Sequence, residues 1–269
     1  MIPAAFEYER AGSVDEAVAL LGRDEDAKLL AGGHSLIPLL RLRFARPSVL
    51  VDIGRLEELR YVREDGDRIA IGALTRHADL VRDPVLAAHC PLISDAAAGI
   101  GDAQVRHRGT IGGSIAHGDP ASDLATIVLT LDADLVVRGP DGERTIPAAE
   151  FFTGMFETAL GRQELLTEIR VPKVQAGTYL KVARRSEDWA TVGVAAARVD
   201  GGAQVGLTSM GAIPLRARSV EEAFAGGASP ADAAAHTADG TAPPSDVSGS
   251  SEYRAHLAQV LVRRALEQL

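Results

Sequence analysis

A chain of 269 residues with 46 % apolar side chains can bury one large core or two modest ones. Its formal charge of −9 argues against nucleic acid or an anionic membrane surface as a partner. A single cysteine, Cys90, excludes an internal disulfide framework and any iron–sulfur or cysteine-rich zinc centre built by this chain alone. No apolar run is long enough for a helical membrane span, and no basic-then-apolar leader opens the chain, so a soluble cytoplasmic protein is expected.

From the start, Phe6 to Arg10 alternates as a strand does. Ser13-Val14-Asp15-Glu16 is a capping box, and its helix carries Val14, Ala17, Val18 and Leu21 on one face. The apolar run Lys28 to Ala31 stops at Gly32-Gly33. His34 and Ser35 follow, then the helix-like Leu36-Ile37-Pro38-Leu39-Leu40. Paired glycines permit positive φ and keep Cβ atoms out of a ligand's way. Ser35 is read as the N-cap, and Pro38 falls in the first helical turn. A turn of exposed amides at a helix start suits a phosphate or pyrophosphate; the alternative is an ordinary strand-to-helix turn.

Val49 to Ile53 reads as a buried strand. Tyr61 to Glu64 and Arg68 to Gly72 read as a hairpin around Asp65-Gly66. Residues 75 to 100 are alanine-rich and helical, broken at Pro84 and Pro91. A second glycine pair, Gly112-Gly113, then lies between Thr110 and Ser114, and the segment runs on through Ala116 and His117 to Asp123. Asp123 or Ser122 is read as the cap of a helix from Leu124 to Leu131. Leu135 to Arg138 and Arg144 to Ile146 form another hairpin over Pro140-Asp141-Gly142. Residues 178–184, 191–199 and 203–209 read as three strands, with Gly201-Gly202 as a turn. Ser219 to Glu222 is a second capping box, and residues 226–250 read as a surface loop. Residues 253–269 form an amphipathic helix with Leu257, Val260, Leu261 and Ala265 inward. Short mixed elements without βαβ repetition give an α+β class. The dinucleotide motif G-x-G-x-x-G, the Walker loop, H-E-x-x-H and G-x-S-x-G are all missing.

Taken together, AGGHSLIP, TIGGSIAHGDPASD, the segment Glu164 to Ile169 and Tyr179-Leu180-Lys181 resemble the FAD-binding medium subunit of the molybdenum hydroxylases, the carbon monoxide dehydrogenase and xanthine dehydrogenase relatives. The resemblance implies a two-part FAD-binding domain, PCMH-type and vanillyl-alcohol-oxidase-like, over residues 1–172, with sub-parts near 1–55 and 56–172. It implies a small α+β C-terminal domain with a three-stranded sheet over 173–269, the boundary lying near Val171-Pro172-Lys173. FAD would be bound noncovalently. Amides of Gly32, Gly33, His34, Ser35 and Leu36, next to Ala31, would form one pyrophosphate cluster. Thr110, Gly112, Gly113 and Ser114, with Ala116 in the same motif, would form the other. Ser114 stands where the family often has asparagine, which shortens that contact. Asp123 would accept from a ribityl hydroxyl or the ring, Leu165 and Leu166 would pack on the isoalloxazine, and Lys181 would stabilise an anionic reduced flavin. Ile100, Gly101 and Val105 would line the ring and adenine side.

The implied function is electron transfer, with no residue acting on organic substrate and no metal held. The implied partners are a molybdopterin-containing large subunit, a two-iron iron–sulfur small subunit and an external acceptor: quinone, NAD or oxygen. The alternative is a stand-alone oxidase of the vanillyl-alcohol-oxidase type, with His34 carrying a covalent flavin.

Overall fold

The computed structural model describes residues 1–269. The first lobe runs β1 (Glu7–Arg10), α1 (Val14–Leu21), β2 (Lys28–Leu30), α2 (Leu36–Leu42) and β3 (Val49–Asp52), the strands all parallel in the order β1-β3-β2. The Ser13 hydroxyl accepts from the Glu16 amide at 3.1 Å, while the Glu16 carboxylate accepts from Gly12 rather than Ser13. The helix so started buries Ala17, Val18, Leu20 and Leu21 against Val51, Ile53, Leu56 and Leu59. Each large aliphatic side chain buried there contributes about 1.5–3 kcal/mol. In α2, by contrast, only Leu40 is buried. Ser35 does occupy its N-cap position, but with helical backbone and no capping bond from its hydroxyl, a correction to the expected cap.

The second lobe contains β4 (Val62–Asp65), β5 (Arg68–Gly72), α3 (His77–Arg82), α4 (Pro84–His89), α5 (Pro91–Ala98), α6 (Ala103–Arg108), α7 (Ile111–Ala116) and α8 (Asp123–Thr130). It continues with β6 (Asp134–Gly139), β7 (Gly142–Pro147), α9 (Ala148–Phe151), the small hairpin β8 (Phe152–Gly154) and β9 (Glu157–Thr158), and β10 (Leu165–Pro172). Pro84 and Pro91 break the alanine-rich stretch by sitting in the first turns of α4 and α5, where no amide is needed. The sheet order is β4-β5-β10-β6-β7, with Ile169 of β10 opposite both Ile71 and Leu135. Leu166, Ile169 and Val171 feed a core shared with Ile111, Ile115, Leu124, Ile127 and Phe151.

The last lobe consists of β11 (Gly177–Val182), β12 (Val192–Val199), β13 (Gly202–Thr208), β14 (Leu215–Arg216), α10 (Arg218–Ala225), α11 (Pro230–Ala234) and α12 (Ser251–Leu266). The three expected strands are antiparallel neighbours, and the two-residue β14 extends them. Along β12, Ala195 and Ala197 enter the second lobe's core, while Val192, Val194 and Ala196 face Ala258, Leu261, Val262 and Ala265 of α12. Two expectations fail here. Helix α10 begins at Arg218, after Ala217 and without a side-chain cap, so Ser219 lies inside the helix and the expected box with Glu222 does not form; Glu221 accepts from the Val205 amide and Arg216, both at 2.7 Å. The stretch 226–250 is not all surface loop, since α11 buries Ala233 and Ala234. No helix is long and apolar enough to cross a membrane.

Candidate functional site

The parallel strand β2 ends at Leu30, and the next five amides, from Ala31 to Ser35, donate to no acceptor in the protein. Gly33 makes the turn, at φ 80°. Gly32 has a different reason to be glycine: a methyl group there would overlap the carbonyl oxygen of Arg108 and lie 3.0 Å from the Cα of Gly109. The loop is therefore laid backbone to backbone against the second glycine segment.

That segment is not a loop. Thr110 caps α7, its hydroxyl accepting from the Gly113 amide at 3.2 Å. The amides of Ile111 and Gly112 donate to Thr75 and Ala73, at 3.0 and 2.9 Å, and that of Ser114 to Thr110 at 3.0 Å. Of the second amide cluster expected from Thr110, Gly112, Gly113 and Ser114, only the Thr110 amide is left without an acceptor, because a helix start and the residues just past β5 have already engaged the other donors. Gly112 is buried, and a methyl there would sit 2.7 Å from the Ala73 carbonyl oxygen. Gly113 is exposed and offers bare helix surface, with Ala31 4.0 Å from where its Cβ would be. Ala116 is half-buried at the far end of α7.

Beside it, the Asp102 carboxylate caps α6 at 2.7 Å. Arg106 holds the carbonyls of Ile100 and Gly101 at 3.0 and 2.8 Å, and Gly101, at φ 48°, packs on Val105. Helix α6 then delivers Arg108 to its contact with Gly32. Behind that contact lies His77, which the sequence did not single out. It is 4 % exposed, its amide donates to Gly109 at 3.0 Å, its ring packs on Gly109, and its Nδ1 has no partner. Burial above all, then the charges of His34 and Arg106, pushes its imidazolium down to about 4. Only the three-dimensional meeting of α3 with Gly109 marks it out.

On the other side, the hydroxyls of Ser114 and Ser122 lie 2.9 Å apart. Asp123 follows, and it caps nothing: Oδ2 accepts from Lys181 Nζ at 2.8 Å and Oδ1 from the Tyr179 hydroxyl at 2.6 Å. Burial raises the Asp123 carboxyl, opposed by the Lys181 charge and by both hydrogen bonds. Lys181 is the more open partner, 15 % exposed against 5 %, and an ammonium has two further protons to donate. His117, depressed by burial, lies against Phe156 with ring centroids 5.1 Å apart. A continuous path of contacts thus joins Ala31, Gly113, Ser114, Ser122, Asp123 and Lys181. Leu165 and Leu166 do not share it as surface: they are 1 % and 5 % exposed, in two different cores.

A second cleft, lined by Tyr61, Arg63, Glu168 and Arg170, lies off this path. Its charges satisfy one another, Glu168 accepting from Tyr61, Arg63 and Arg170 at 2.6, 2.9 and 2.5 Å.

Two family profiles match the chain. Residues 4–174 match the FAD binding domain in molybdopterin dehydrogenase, and residues 177–269 match the CO dehydrogenase flavoprotein C-terminal domain. The chain is 43 % identical to the carbon monoxide dehydrogenase medium chain of Hydrogenophaga pseudoflava, over 99 % of this chain and 97 % of that one. It is 38 % identical to the glyceraldehyde dehydrogenase medium chain of Sulfolobus acidocaldarius, over the full length of both. A solved structure of the Hydrogenophaga pseudoflava carbon monoxide dehydrogenase superposes with a TM-score of 0.96, covering 100 % of this chain and 98 % of its counterpart.

Proposed function

Because the chain belongs to the FAD-binding medium subunits of the molybdenum hydroxylases, we propose that it is the electron-transfer flavoprotein of such a complex, taking electrons from an iron–sulfur partner and passing them to an external acceptor. It is an oxidoreductase subunit, and FAD is its cofactor. The observation that carries the assignment is the run of five unpaired amides, Ala31 to Ser35, turned by Gly33 and pressed against the Arg108–Gly109 backbone that leads into α7. A pyrophosphate needs donors, and on a chain of charge −9 backbone amides supply them without further cations.

In this assignment Gly32, Gly33, His34, Ser35 and Leu36 hold the pyrophosphate by their amides. Thr110 and Ser114 contribute hydroxyls, and Gly113 contributes access. Ile100 and Gly101, in the turn before α6, and Val105 on it flank the dinucleotide. Lys181 directs its free protons at the flavin, with Asp123 behind it rather than in direct contact. When bound, FAD supplies a carrier stable with one or two electrons. The residues present include no acid–base pair aimed at an organic substrate along this path, which supports leaving that chemistry to a molybdopterin-containing large subunit. Relatives named for carbon monoxide and for glyceraldehyde align over the same length, which supports placing substrate choice on another chain. The donor would be a two-iron small subunit, the acceptor quinone, NAD or oxygen, the compartment the cytoplasm. The divide between FAD-binding and C-terminal parts falls near 172.

The test is titration with FAD, then anaerobic reduction. The wild type is expected to bind about one FAD, released by acid. Gly33→Val, which forces a branched side chain to φ 80°, is expected to fold by circular dichroism and lose FAD. Flavin bleaching by candidate substrates should require the molybdenum and iron–sulfur partners. Full FAD occupancy in Gly33→Val, or bleaching by substrate with this chain alone, would overturn the assignment.

A further inference from the structure

Behind Lys181 stand three hydroxyls that cofactor binding does not explain. Tyr179 and Lys181 are two residues apart on β11 and so share a face. Each takes one oxygen of Asp123. The Tyr179 hydroxyl also lies 3.1 Å from that of Thr208 on β13, which donates to the Thr126 hydroxyl on α8 at 2.7 Å. The Tyr179 ring packs against the second lobe's core, a place phenylalanine would fill equally well. What the tyrosine adds is one O–H, and burial keeps that proton on the oxygen by pushing its pKa well above the usual tyrosine range.

The groups facing the Asp123 carboxylate are Lys181 and Tyr179 from β11 and the charge of Asp119 from the preceding turn. A carboxylate this buried stays ionised only while donors compensate it. Ionised, Asp123 cancels much of the Lys181 charge. Protonated, it leaves that charge whole at the joint between the lobes.

We propose that Tyr179 is a positioning residue which sets the positive charge that Lys181 presents to the flavin, its hydroxyl holding Asp123 as the carboxylate counter-ion of that lysine. The inference rests on the flavin assignment above. In Tyr179→Phe the carboxylate loses a donor, takes up a proton more readily, and leaves Lys181 unbalanced. The site then favours the more negative, reduced cofactor.

The experiment uses the full chain reconstituted with FAD, its midpoint potential measured from pH 6 to 9 alongside the affinity for oxidised FAD. Tyr179→Phe is expected to raise the preference for reduced over oxidised cofactor about tenfold at pH 7, which is about 30 mV for a two-electron couple. Asp123→Asn should raise it at least as far, and Tyr179→Phe should add nothing in that background, since both act through one charge. A merely structural role would lower the melting temperature and leave the midpoint unmoved. Asp123→Asn keeps the tyrosine, and it decides the matter if Tyr179→Phe does not fold. An unmoved midpoint in the folded variants, or additive shifts, would overturn the proposal while sparing the flavin assignment. Failure of the wild type to bind FAD would remove both.

Discussion

At His77 an imidazole sits where almost no water reaches, its Nδ1 without a partner, backing the Gly109 peptide against which Gly32 is pressed. Its folded-state value of about 4 lies below the ordinary 6.5, so the unfolded chain binds the proton first as pH falls. Stability from this group is complete above pH 6.5 and is lost as the pH drops towards 4. The gap corresponds to about 3 kcal/mol. His77→Gln is therefore expected to flatten the acid side of the stability profile, followed by denaturant midpoints between pH 7 and 4; an unchanged slope would refute it. The sequence could not announce such a residue. Gly33 was legible, since a turn between strand and helix asks for positive φ. Gly32 and Gly112 were legible as glycines, but not for their true reason, which is a neighbouring backbone or side chain far away in sequence.

Helix α7 shows where an element departs from its local signal. Two glycines in six residues weaken a helix by up to about 1 kcal/mol each relative to alanine, and the segment reads as a loop. It is helical because Ile111 and Ile115 are fully buried and Gly112 fits against Ala73. Thr110→Val keeps the shape of the cap and removes its hydroxyl. It is expected to cost about 1 kcal/mol of stability and to weaken FAD binding several-fold, read by unfolding and by flavin titration; an unaltered unfolding midpoint would show that the cap is idle. The hairpins at 62–72 and 134–147 were legible because period-two patterns flank turn residues. The caps at Ser35, Asp123 and Ser219 were misread because a capping signal is local. Asp123 is claimed by tertiary partners, the Ser35 backbone is already helical, and α10 starts at Arg218, which puts Ser219 inside the helix.

Across the whole molecule, the joint between the last two lobes was the least legible part, since nothing in the spacing of Asp123 and Lys181 announces a buried pair. At that joint β13 runs so close to α8 that a methyl on Gly206 would overlap the Thr130 hydroxyl and lie 3.0 Å from a Thr126 methyl. Gly206→Val is expected to cost about 1–3 kcal/mol through overpacking and to loosen Lys181 from Asp123, seen as weaker FAD binding together with a lower melting temperature. Unchanged binding would mean that the lobes adjust without moving the site. The close approach of Gly32 to Arg108 also sets a clock. Residue 108 leaves the ribosome after residue 32 by roughly 4–15 s, at about 5–20 residues per second. Throughout that interval the five amides from Ala31 to Ser35 face only water, and Lys181 is later still. The nascent first lobe thus has a folded sheet within reach but no cradle, so a ribosome-stalled chain whose residue 108 is still inside the tunnel should capture no FAD, and cofactor supply matters only once most of the chain has been made.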